Sequence, residues 1–361
     1  SAASDVYKRQ AADILRGMME RGVLEYSTSP YNAPAFLVPK ACPKSDASGD
    51  RFRLVIDLSH LNRWVTPLGL DPAPIDSILA MLNPSAVFSA LDMVTAYWQV
   101  SLHPHSREAC AFSIPPLPKV QYTRLPMGLA PASSWMERAM RRITGSLELS
   151  CLVRYLDDCM VFGKQWDVDP QTGLIKEQHL EEHLSNLERI FCRFWNHSAT
   201  LHKKKCLFFQ RQIDFLGFTV NKDGILPQKR LLSGIEQLRP PETVQELQSI
   251  IGVLRYQSRF VKGFAYKIEP LQERLNEELR LRPKKSKAAI ALTEDETAAF
   301  HHLRQIMVDF MTHPSCLHHV RWERTLYCSS DASELAIAGR AWQYSLSDEE
   351  MQRIPKAQWP D

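Results

Sequence analysis

The stretch Cys151–Gly163 constrains the fold more than any other, because it places two adjacent carboxylates between two apolar runs. It reads CLVRYLDDCMVFG, with Asp157 and Asp158 near its centre. Residues Leu152–Leu156 and Cys159–Phe162 are predicted to form the two strands of a hairpin. Since successive side chains of a strand face opposite sides, both carboxylates can serve one site only if they lie at or near the turn.

The residues alone leave two interpretations of this hairpin open. Aspartate is a common turn residue, so the pair could simply make the turn, although Gly or Asn would suit a tight hairpin better. Alternatively, a strand predicted over Val87–Met93 carries Asp92 near its end. If that strand paired with the hairpin, Asp92 and Asp157 would come together.

Such a carboxylate cluster needs a compensating charge. Like charges about 4 Å apart repel by roughly 4 kcal/mol at an effective dielectric near 20, so the cluster persists only with protonation or a bound cation. Mg²⁺ is held by one or two carboxylates together with substrate phosphates, and a pair of such ions can support an in-line phosphoryl displacement. Metal-dependent phosphoryl transfer is therefore the chemical alternative to a structural turn.

Elsewhere, hairpins and helices are interleaved without regular βαβ alternation, which is typical of an α+β fold. Helices are predicted over 11–21, 131–143, 177–194 and 294–310 and from about 243, and strands over 51–58, 87–93, 109–114, 120–123, 212–220 and 325–330. Thr243 and Glu246 form a T-x-x-E capping box. In the helix 177–194, the apolar residues at helical spacing are expected to form the buried stripe; they are Leu180, Leu184, Leu187 and Phe191.

Composition sets outer limits on function. The 361 residues suffice for two or more domains, and the net charge of +3 permits nucleic-acid binding through local basic patches without indicating it. The eight cysteines are scattered without a CxxC pair, as is typical of the reduced cytosolic or nuclear compartment. No apolar run reaches the length of a membrane span and no secretion signal is seen. We therefore expect a protein that is not secreted and has no membrane partner.

The two ends of the chain do not resemble the ends of a natural domain. Residues 1–10 contain DVYKRQ, which resembles the translated end of a transposase adapter, so we expect them to be a non-native tail. The last residues, Trp359, Pro360 and Asp361, close no recognisable element. We therefore expect a piece of a longer open reading frame.

The order of several segments gives the hairpin a more specific meaning. Tyr155-Leu156-Asp157-Asp158 matches the Y-x-D-D box of reverse transcriptases. Further matches in family order are STSPYNAPAFLVPK (27–40), RFRLVIDLSHLN (51–62), FSALDMVTAYWQV (88–100), LPMGLAPA (125–132), LHKKKCLFF (201–209), FLGFTVNKDGI (215–225) and the segment 247–264. One short box is unspecific, whereas an ordered set indicates a family. From about Gly22 to Leu271 the chain resembles the polymerase of Gypsy-class LTR retrotransposons.

This resemblance implies a fold, an activity and partners. The fold would be a right-hand polymerase, with fingers and palm over 11–220 and thumb and connection over 221–290. Residues 291–361 would hold the rest of the connection and a truncated ribonuclease H-like α/β segment. The activity would be DNA synthesis on an RNA or DNA template with a primer, using deoxynucleoside triphosphates and two Mg²⁺ or Mn²⁺ ions. The other Pol domains, ribonuclease H, integrase and protease, would be partners in the polyprotein, located in a cytoplasmic virus-like particle or the nucleus.

The resemblance also implies roles for the polymerase carboxylates and a lysine. Asp92 and Asp157 would ligate both metal ions, and Asp158 would support the site. Lys205 matches a lysine near the pyrophosphate, a possible general acid. A basic loop that binds template phosphate is the competing interpretation of Lys205 and its neighbours.

The nucleotide side of the site is implied in the same way. Tyr97 would block the ribose 2′-hydroxyl, although a core tyrosine is the alternative. Arg53 would contact the triphosphate, since its guanidinium binds phosphate oxygens bidentately, and Lys40 would lie on the same face; either could instead be a solvated surface charge. Met93 would also contact the nucleotide. Met127 and Gly128 would lie beside the nascent base pair.

Two further segments carry implied sites. Phe215, Leu216 and Gly217 resemble the primer grip, a hairpin that positions the primer end, with a buried strand as the alternative. The stretch 327–333 resembles the first strand of ribonuclease H, in which Asp331 would be a metal-binding carboxylate. Because the remaining acidic residues are absent from this sequence, we expect no competent ribonuclease H activity.

Other functions compete with this interpretation. His179 and His183 have zinc-site spacing on a helix, but the zincin pattern needs Glu after the first His, where Leu180 stands. An exposed helix face is therefore expected there, and a zinc hydrolase is an alternative function. A catalytically inactive nucleic-acid-binding relic is another alternative, and an RNA-dependent RNA polymerase is a third.

Overall fold

The computed structural model describes residues 2–39, 52–66, 68–82, 85, 87–148, 150–163, 172, 174–282, 286–312, 317–319, 327–332 and 337–342. In these ranges the helices are α1 Ala2–Glu20, α2 Ser59–Asn62, α3 Ile75–Ala80, α4 Pro104–Arg107, α5 Ala132–Thr144, α6 Glu177–Asn196, α7 Lys229–Glu236, α8 Val244–Tyr256, α9 Phe264–Leu281 and α10 Glu294–Thr312. The strands are β1 Leu24–Tyr26, β2 Ala35–Pro39, β3 Phe52–Ile56, β4 Phe88–Leu91, β5 Ala111–Phe112, β6 Val120–Tyr122, β7 Leu152–Tyr155, β8 Asp158–Phe162, β9 Leu207–Gln210, β10 Gln212–Phe215, β11 Phe218–Asn221, β12 Gly224–Pro227, β13 Leu317–His318, β14 Tyr327–Ala332 and β15 Ile337–Trp342. The described elements confirm the predicted mixture of helices and hairpins.

The chain divides into two compact units. The first comprises residues 1–78, 89–161 and 183–208, and the second comprises 79–88, 162–182 and 209–361. In the first unit, β1 pairs with β6 and β6 with β5, and β2 pairs with β3 as an antiparallel hairpin. These strands and α1 surround one apolar core that includes Leu15, Phe112 and Tyr122.

A second sheet, with the strand order β7-β8-β4-β9, carries the hairpin singled out in the sequence. The antiparallel pairing of β7 and β8 aligns Leu152 with Val161. Helix α5 and the C-terminal half of α6 pack on this sheet through residues such as Met140 and Ile190, both fully buried. Burying a side chain of this size contributes about 1.5–3 kcal/mol, so the core fixes the sheet that carries the carboxylates.

The buried face of α6 differs from the expectation. Leu180 and Leu184 are 36% and 50% exposed, whereas His179 and His183 are 4% and 1% exposed. The expected exposed histidine face is therefore wrong. Within the first unit, the Ser89 hydroxyl and Nε2 of His183 form a hydrogen bond of 2.7 Å, so a polar ring takes the place expected for an apolar side chain.

In the second unit, β10 to β13 form an antiparallel sheet in sequence order. The expected single strand over 212–220 is wrong at its centre, because β10 and β11 form a hairpin that turns at Leu216 and Gly217. Helices α7 to α10 share a core that includes Leu247, Leu271 and Leu303.

The N-terminus of α8 confirms the predicted capping residue. The Thr243 side chain accepts a hydrogen bond of 3.2 Å from the Glu246 N–H. The Glu246 carboxylate accepts from the backbone of Glu242, one residue earlier than an ideal capping box requires. Helix α8 buries an apolar stripe that includes Ile250 and Leu254.

Helix α1 begins at Ala2, so the helix predicted from residue 11 extends across the stretch expected to be a tail. Across the described residues, helices that combine the length and the apolar character of a membrane span are absent.

Candidate active site

The carboxylate hairpin has a two-residue turn. Tyr155 and Asp158 are the last paired residues of β7 and β8, so Leu156 and Asp157 alone connect the strands. Leu156 has a φ of 55°, in the left-handed region. The tight hairpin turns that match strand twist require a positive φ, a conformation that glycine or asparagine adopts more readily than leucine. The turn therefore holds Asp157 at the tip at the expense of local backbone strain at Leu156.

A third carboxylate reaches this tip from the neighbouring strand. β4 is hydrogen-bonded beside β8 in the sheet, and Asp92 follows its last residue, Leu91. The sheet thereby places Asp92 in the neighbourhood of the hairpin, as the sequence predicted. Asp157 is half-buried and Asp158 is exposed.

Electrostatics links the three side chains. Desolvation raises the pKa of Asp157 above its usual value, a backbone hydrogen bond of its own residue opposes this, and the Asp92 carboxylate raises that pKa further. The pKa of Asp158 is raised by desolvation first, then by Asp157 and Asp92. The three carboxylates therefore repel one another in the ionised state, which favours a proton or a cation among them.

One carboxylate oxygen of Asp92 is available to coordinate such a cation. Its Oδ1 is buried and makes no hydrogen bond, and Nζ of Lys205 lies 3.8 Å from it. A buried carboxylate oxygen without a hydrogen bond carries a desolvation cost that a cation would offset. Carboxylate oxygens are also the ligand type that Mg²⁺ prefers.

These carboxylates fit a metal ion whose remaining ligands come from the substrate and water. Among the described residues, groups of three or more His, Cys, Asp or Glu side chains that could hold a metal ion by themselves are absent. Mg²⁺ keeps waters or phosphate oxygens beside one or two carboxylates and does not need an all-protein cage. Asp92 and Asp157 are the residues that could hold it, with Asp158 beside them.

The nucleotide-side residues fall into different environments. Arg53 is exposed on β3, and Lys40 lies outside the described residues. Met93 is 6% exposed within the core, so only its backbone is available to a nucleotide. Tyr97 is partly buried and packs on the same core.

The loop after β6 is positioned by a residue that the sequence analysis did not single out. The Asn62 side chain donates to the Gly128 carbonyl oxygen at 2.9 Å and accepts from the Ala130 N–H at 2.7 Å. Gly128 has a φ of 90°, which explains the glycine. Met127 beside it is 53% exposed.

A buried ionic network connects the β7–β8 hairpin to helix α5. Arg154 of β7 donates two hydrogen bonds to the Glu137 carboxylate on α5, at 2.7 and 3.0 Å, and a third to Glu148 at 2.7 Å. Burial alone would raise the pKa of Glu137, but hydrogen bonds from Arg154 and Arg141 and their charges hold it below its usual value. The network ties β7 to α5 next to the turn.

The second unit contains the segment that resembles a primer grip. Phe215 is buried, and Leu216 and Gly217 form the turn with φ of 48° and 74°. The Tyr256 hydroxyl of α8 donates to the Leu216 carbonyl oxygen, and the Tyr256 ring stacks on Phe218 with ring centroids 5.1 Å apart. The segment is thus an anchored turn and not a plain buried strand.

Asp331, the remaining predicted site residue, lies on β14. That strand pairs antiparallel with β15, and Asp331 is aligned with Ala338.

Comparisons with known proteins match this architecture. The family described as "Reverse transcriptase (RNA-dependent DNA polymerase)" matches residues 40–220, half of the chain. The chain is 28% identical over 322 residues to the "Retrovirus-related Pol polyprotein from transposon 297" of Drosophila melanogaster, covering 89% of this chain and 28% of that protein. It is 34% identical over 266 residues to the "Enzymatic polyprotein" of Cestrum yellow leaf curling virus, covering 73% of this chain and 38% of that protein.

A solved structure shares the fold. The foamy viral protease-reverse transcriptase dRH in complex with double-stranded DNA aligns with a TM-score of 0.75 at 21% identity, covering 93% of this chain and 53% of that one. The reverse transcriptase polymerase fold expected from the sequence is therefore confirmed. The chain spans well under half the length of the curated relatives named above.

Proposed function

Because the chain belongs to the reverse transcriptase family, we propose that it is an RNA-directed and DNA-directed DNA polymerase that copies retrotransposon RNA into DNA. The observation that carries the proposal is the convergence of Asp92, Asp157 and Asp158. Desolvation first, and then the neighbouring carboxylates, raise the pKa of both hairpin carboxylates. Carboxylates arranged to repel one another beside an exposed tip are suited to cation-assisted phosphoryl transfer.

In this proposal Asp92 and Asp157 hold Mg²⁺ or Mn²⁺, two ions per site, and Asp158 adds negative charge beside them. Such ions supply Lewis-acid stabilisation of charge on phosphoryl oxygens. The hairpin turn positions the second carboxylate, because a rigid two-residue turn fixes Asp157 relative to β4, the strand that precedes Asp92. Lys205, 3.8 Å from the Asp92 carboxylate, is available to donate a proton to the leaving pyrophosphate.

The other proposed roles concern substrate and primer. Arg53 and Lys40 bind the triphosphate. The backbone of Met93 contacts the nucleotide, and Met127 and Gly128 lie beside the nascent base pair. Tyr97 excludes the ribose 2′-hydroxyl. Phe215, Leu216 and Gly217 position the primer end, which their anchoring by Tyr256 supports.

The template and primer are proposed to be RNA or DNA. The foamy viral neighbours were solved with double-stranded DNA and with an RNA/DNA hybrid, which supports this choice. Since the curated relatives are polyproteins, we also propose that this segment acts within a Pol polyprotein in the cytoplasm or nucleus. The β14–β15 pair is proposed to begin a truncated ribonuclease H-like segment without competent ribonuclease H activity. Degradation of an RNA/DNA hybrid by the purified chain, lost in Asp331→Asn, would contradict this expectation.

The test of the main proposal is primer extension on a homopolymeric RNA template with Mg²⁺. We expect the wild type to extend the primer with deoxynucleotides and Asp157→Asn to lose extension while it still binds primer–template. If the wild type binds primer–template but does not extend the primer, the protein is an inactive nucleic-acid-binding protein instead. A preference for ribonucleotides would point to an RNA polymerase, and stoichiometric zinc in the purified protein to a hydrolase.

A further inference from the structure

A short segment that follows α6 runs beside the backbone of the first carboxylate. The Val94 N–H donates to the Thr200 carbonyl oxygen at 3.0 Å, and the His202 N–H donates to the Asp92 carbonyl oxygen at 2.7 Å. Met93 and Leu201 form an antiparallel bridge between these two bonds. Asp92 lies beyond the last residue of β4, so this pairing, and not the regular part of the strand, holds its carbonyl group.

The same segment also contacts the backbone N–H of Asp92. The Asp92 N–H donates to Sγ of Cys206 at 3.4 Å, and Sγ lies 3.8 Å from the Asp92 carbonyl oxygen. Cys206 is 8% exposed, and the preceding residue is Lys205, whose Nζ faces the Asp92 carboxylate. The segment 199–206 therefore fixes the Asp92 backbone and carries the lysine that faces its side chain.

The Gln99 side chain joins this segment to Val94, two residues after Asp92. The Gln99 amide nitrogen donates to the Val94 carbonyl oxygen at 2.6 Å and to the Thr200 carbonyl oxygen at 3.0 Å. The Gln99 amide oxygen accepts from the Thr200 N–H at 2.8 Å. A primary amide has two N–H donors and one acceptor oxygen, so both ends of this side chain are used, each on the backbone.

We propose that Gln99 is a positioning residue for polymerisation, which acts by clamping the segment 199–206 to the Asp92–Val94 backbone. The inference rests on the proposed function, because the clamp matters for catalysis only if Asp92 does. Its consequence is geometric. If the clamp opens, the Asp92 carboxylate and Lys205 lose their fixed relation, and a misplacement of about 1 Å can cost about a hundredfold in rate.

The distinguishing variant is Gln99→Met, which keeps the length of the side chain but removes all three hydrogen bonds. We expect kcat for primer extension to fall about ten- to a hundredfold, with unchanged affinity for primer–template measured without divalent ions. Gln99→Glu should not rescue the rate, because its carboxylate could accept from the Thr200 N–H but would repel the Val94 and Thr200 carbonyl oxygens. Gln178→Met, on the exposed surface of α6, is the matched control and should behave as wild type.

Hydrogen exchange of the protein without substrate gives a readout independent of activity. In Gln99→Met, peptides that contain residues 199–206 should exchange faster, while those of β7 and β8 should not change. Faster exchange throughout the first unit, or a Gln99→Met rate within twofold of wild type, would overturn the positioning role. A wild type that extends no primer would overturn the proposed function, whereas local exchange would still report on the clamp.

Discussion

Tyr155 and Asp158 face each other as the last register pair of the β7–β8 hairpin, which leaves only Leu156 and Asp157 to make the turn. The two adjacent aspartates are therefore not equivalent. Asp158 begins a strand, and its position follows from sheet pairing. Asp157 sits in the turn, and its position depends on the backbone conformation of the residue before it.

The first prediction concerns that residue. Leu156→Gly should raise the free energy of unfolding by about 0.5 kcal/mol. A left-handed conformation costs a leucine about 1–2 kcal/mol and costs a glycine little. Part of this gain is lost, because glycine also increases the conformational entropy of the unfolded chain. Leu156→Val should lower the free energy of unfolding by about 1 kcal/mol, since β-branched residues tolerate positive φ poorly. Urea denaturation measures both. Equal stability of the two variants would show that the turn does not require positive φ.

The second prediction separates charge from structure at the tip. Asp157→Asn should lower primer extension by about 10²–10³-fold, the size of effect expected for one preorganised electrostatic group. Its melting temperature without divalent ions should be no lower than that of the wild type, because the substitution removes repulsion from Asp92. Asp71→Asn, at an exposed loop position, is the control. A variant that melts much earlier would mean that its inactivity reports unfolding.

The third prediction concerns sugar selection. Tyr97→Ala should raise incorporation of ribonucleotides relative to deoxynucleotides by about tenfold or more, because a steric block is worth about 1–3 kcal/mol. Tyr97→Phe keeps the ring and should discriminate as wild type does. Single-nucleotide extension with each sugar measures the ratio. Unchanged discrimination in Tyr97→Ala would assign the ring to the core, on which it packs.

The fourth prediction concerns the turn between β10 and β11. A Cβ on Gly217 would lie 2.9 Å from the Tyr256 ring, at a φ of 74°, so Gly217→Ala should destabilise by about 2–3 kcal/mol. In a Tyr256→Ala background the cost should fall to about 1 kcal/mol, the part due to φ. Gly234→Ala, in α7 with open space around it, should instead stabilise slightly. Additive effects of Gly217→Ala and Tyr256→Ala would contradict this account.

The fifth prediction is a pH dependence of stability. Burial lowers the pKa of His183 to about 4, below its usual value near 6.5. Between these values the unfolded chain binds the proton and the folded chain does not, so stability should fall as the pH falls from 6.5 to about 4, by up to about 3 kcal/mol. Urea denaturation across this range should show the slope for wild type and for the exposed control His105→Gln. His183→Gln should lose this slope, and an unchanged slope would exclude His183 as its source.

The sequence predicted elements whose cause is local. The β7–β8 hairpin followed from two apolar runs around polar residues, and the α8 N-terminus from Thr243. The proximity of Asp92 to the hairpin could be predicted only as a consequence of strand pairing, and β4 does lie beside β8.

Features that depend on distant residues were missed. The face of α6 was misjudged because helical periodicity offers two neighbouring stripes, and the buried one is held by the hydrogen bond between His183 and Ser89. The β10–β11 turn had a local signal in Gly217, since glycine inside a strand pattern often marks an irregularity. Gln99 reaches Thr200 across about a hundred residues of sequence, and no periodicity reports such a contact.

The strand order β7-β8-β4-β9 also bears on how the site is made during synthesis. β4 emerges from the ribosome first, but its neighbours β8 and β9 and the segment that holds Asp92 are translated much later. Closing such long loops is entropically costly and slow. A nascent chain therefore cannot form the contacts of His202 and Cys206 with the Asp92 backbone until it has been translated through Cys206.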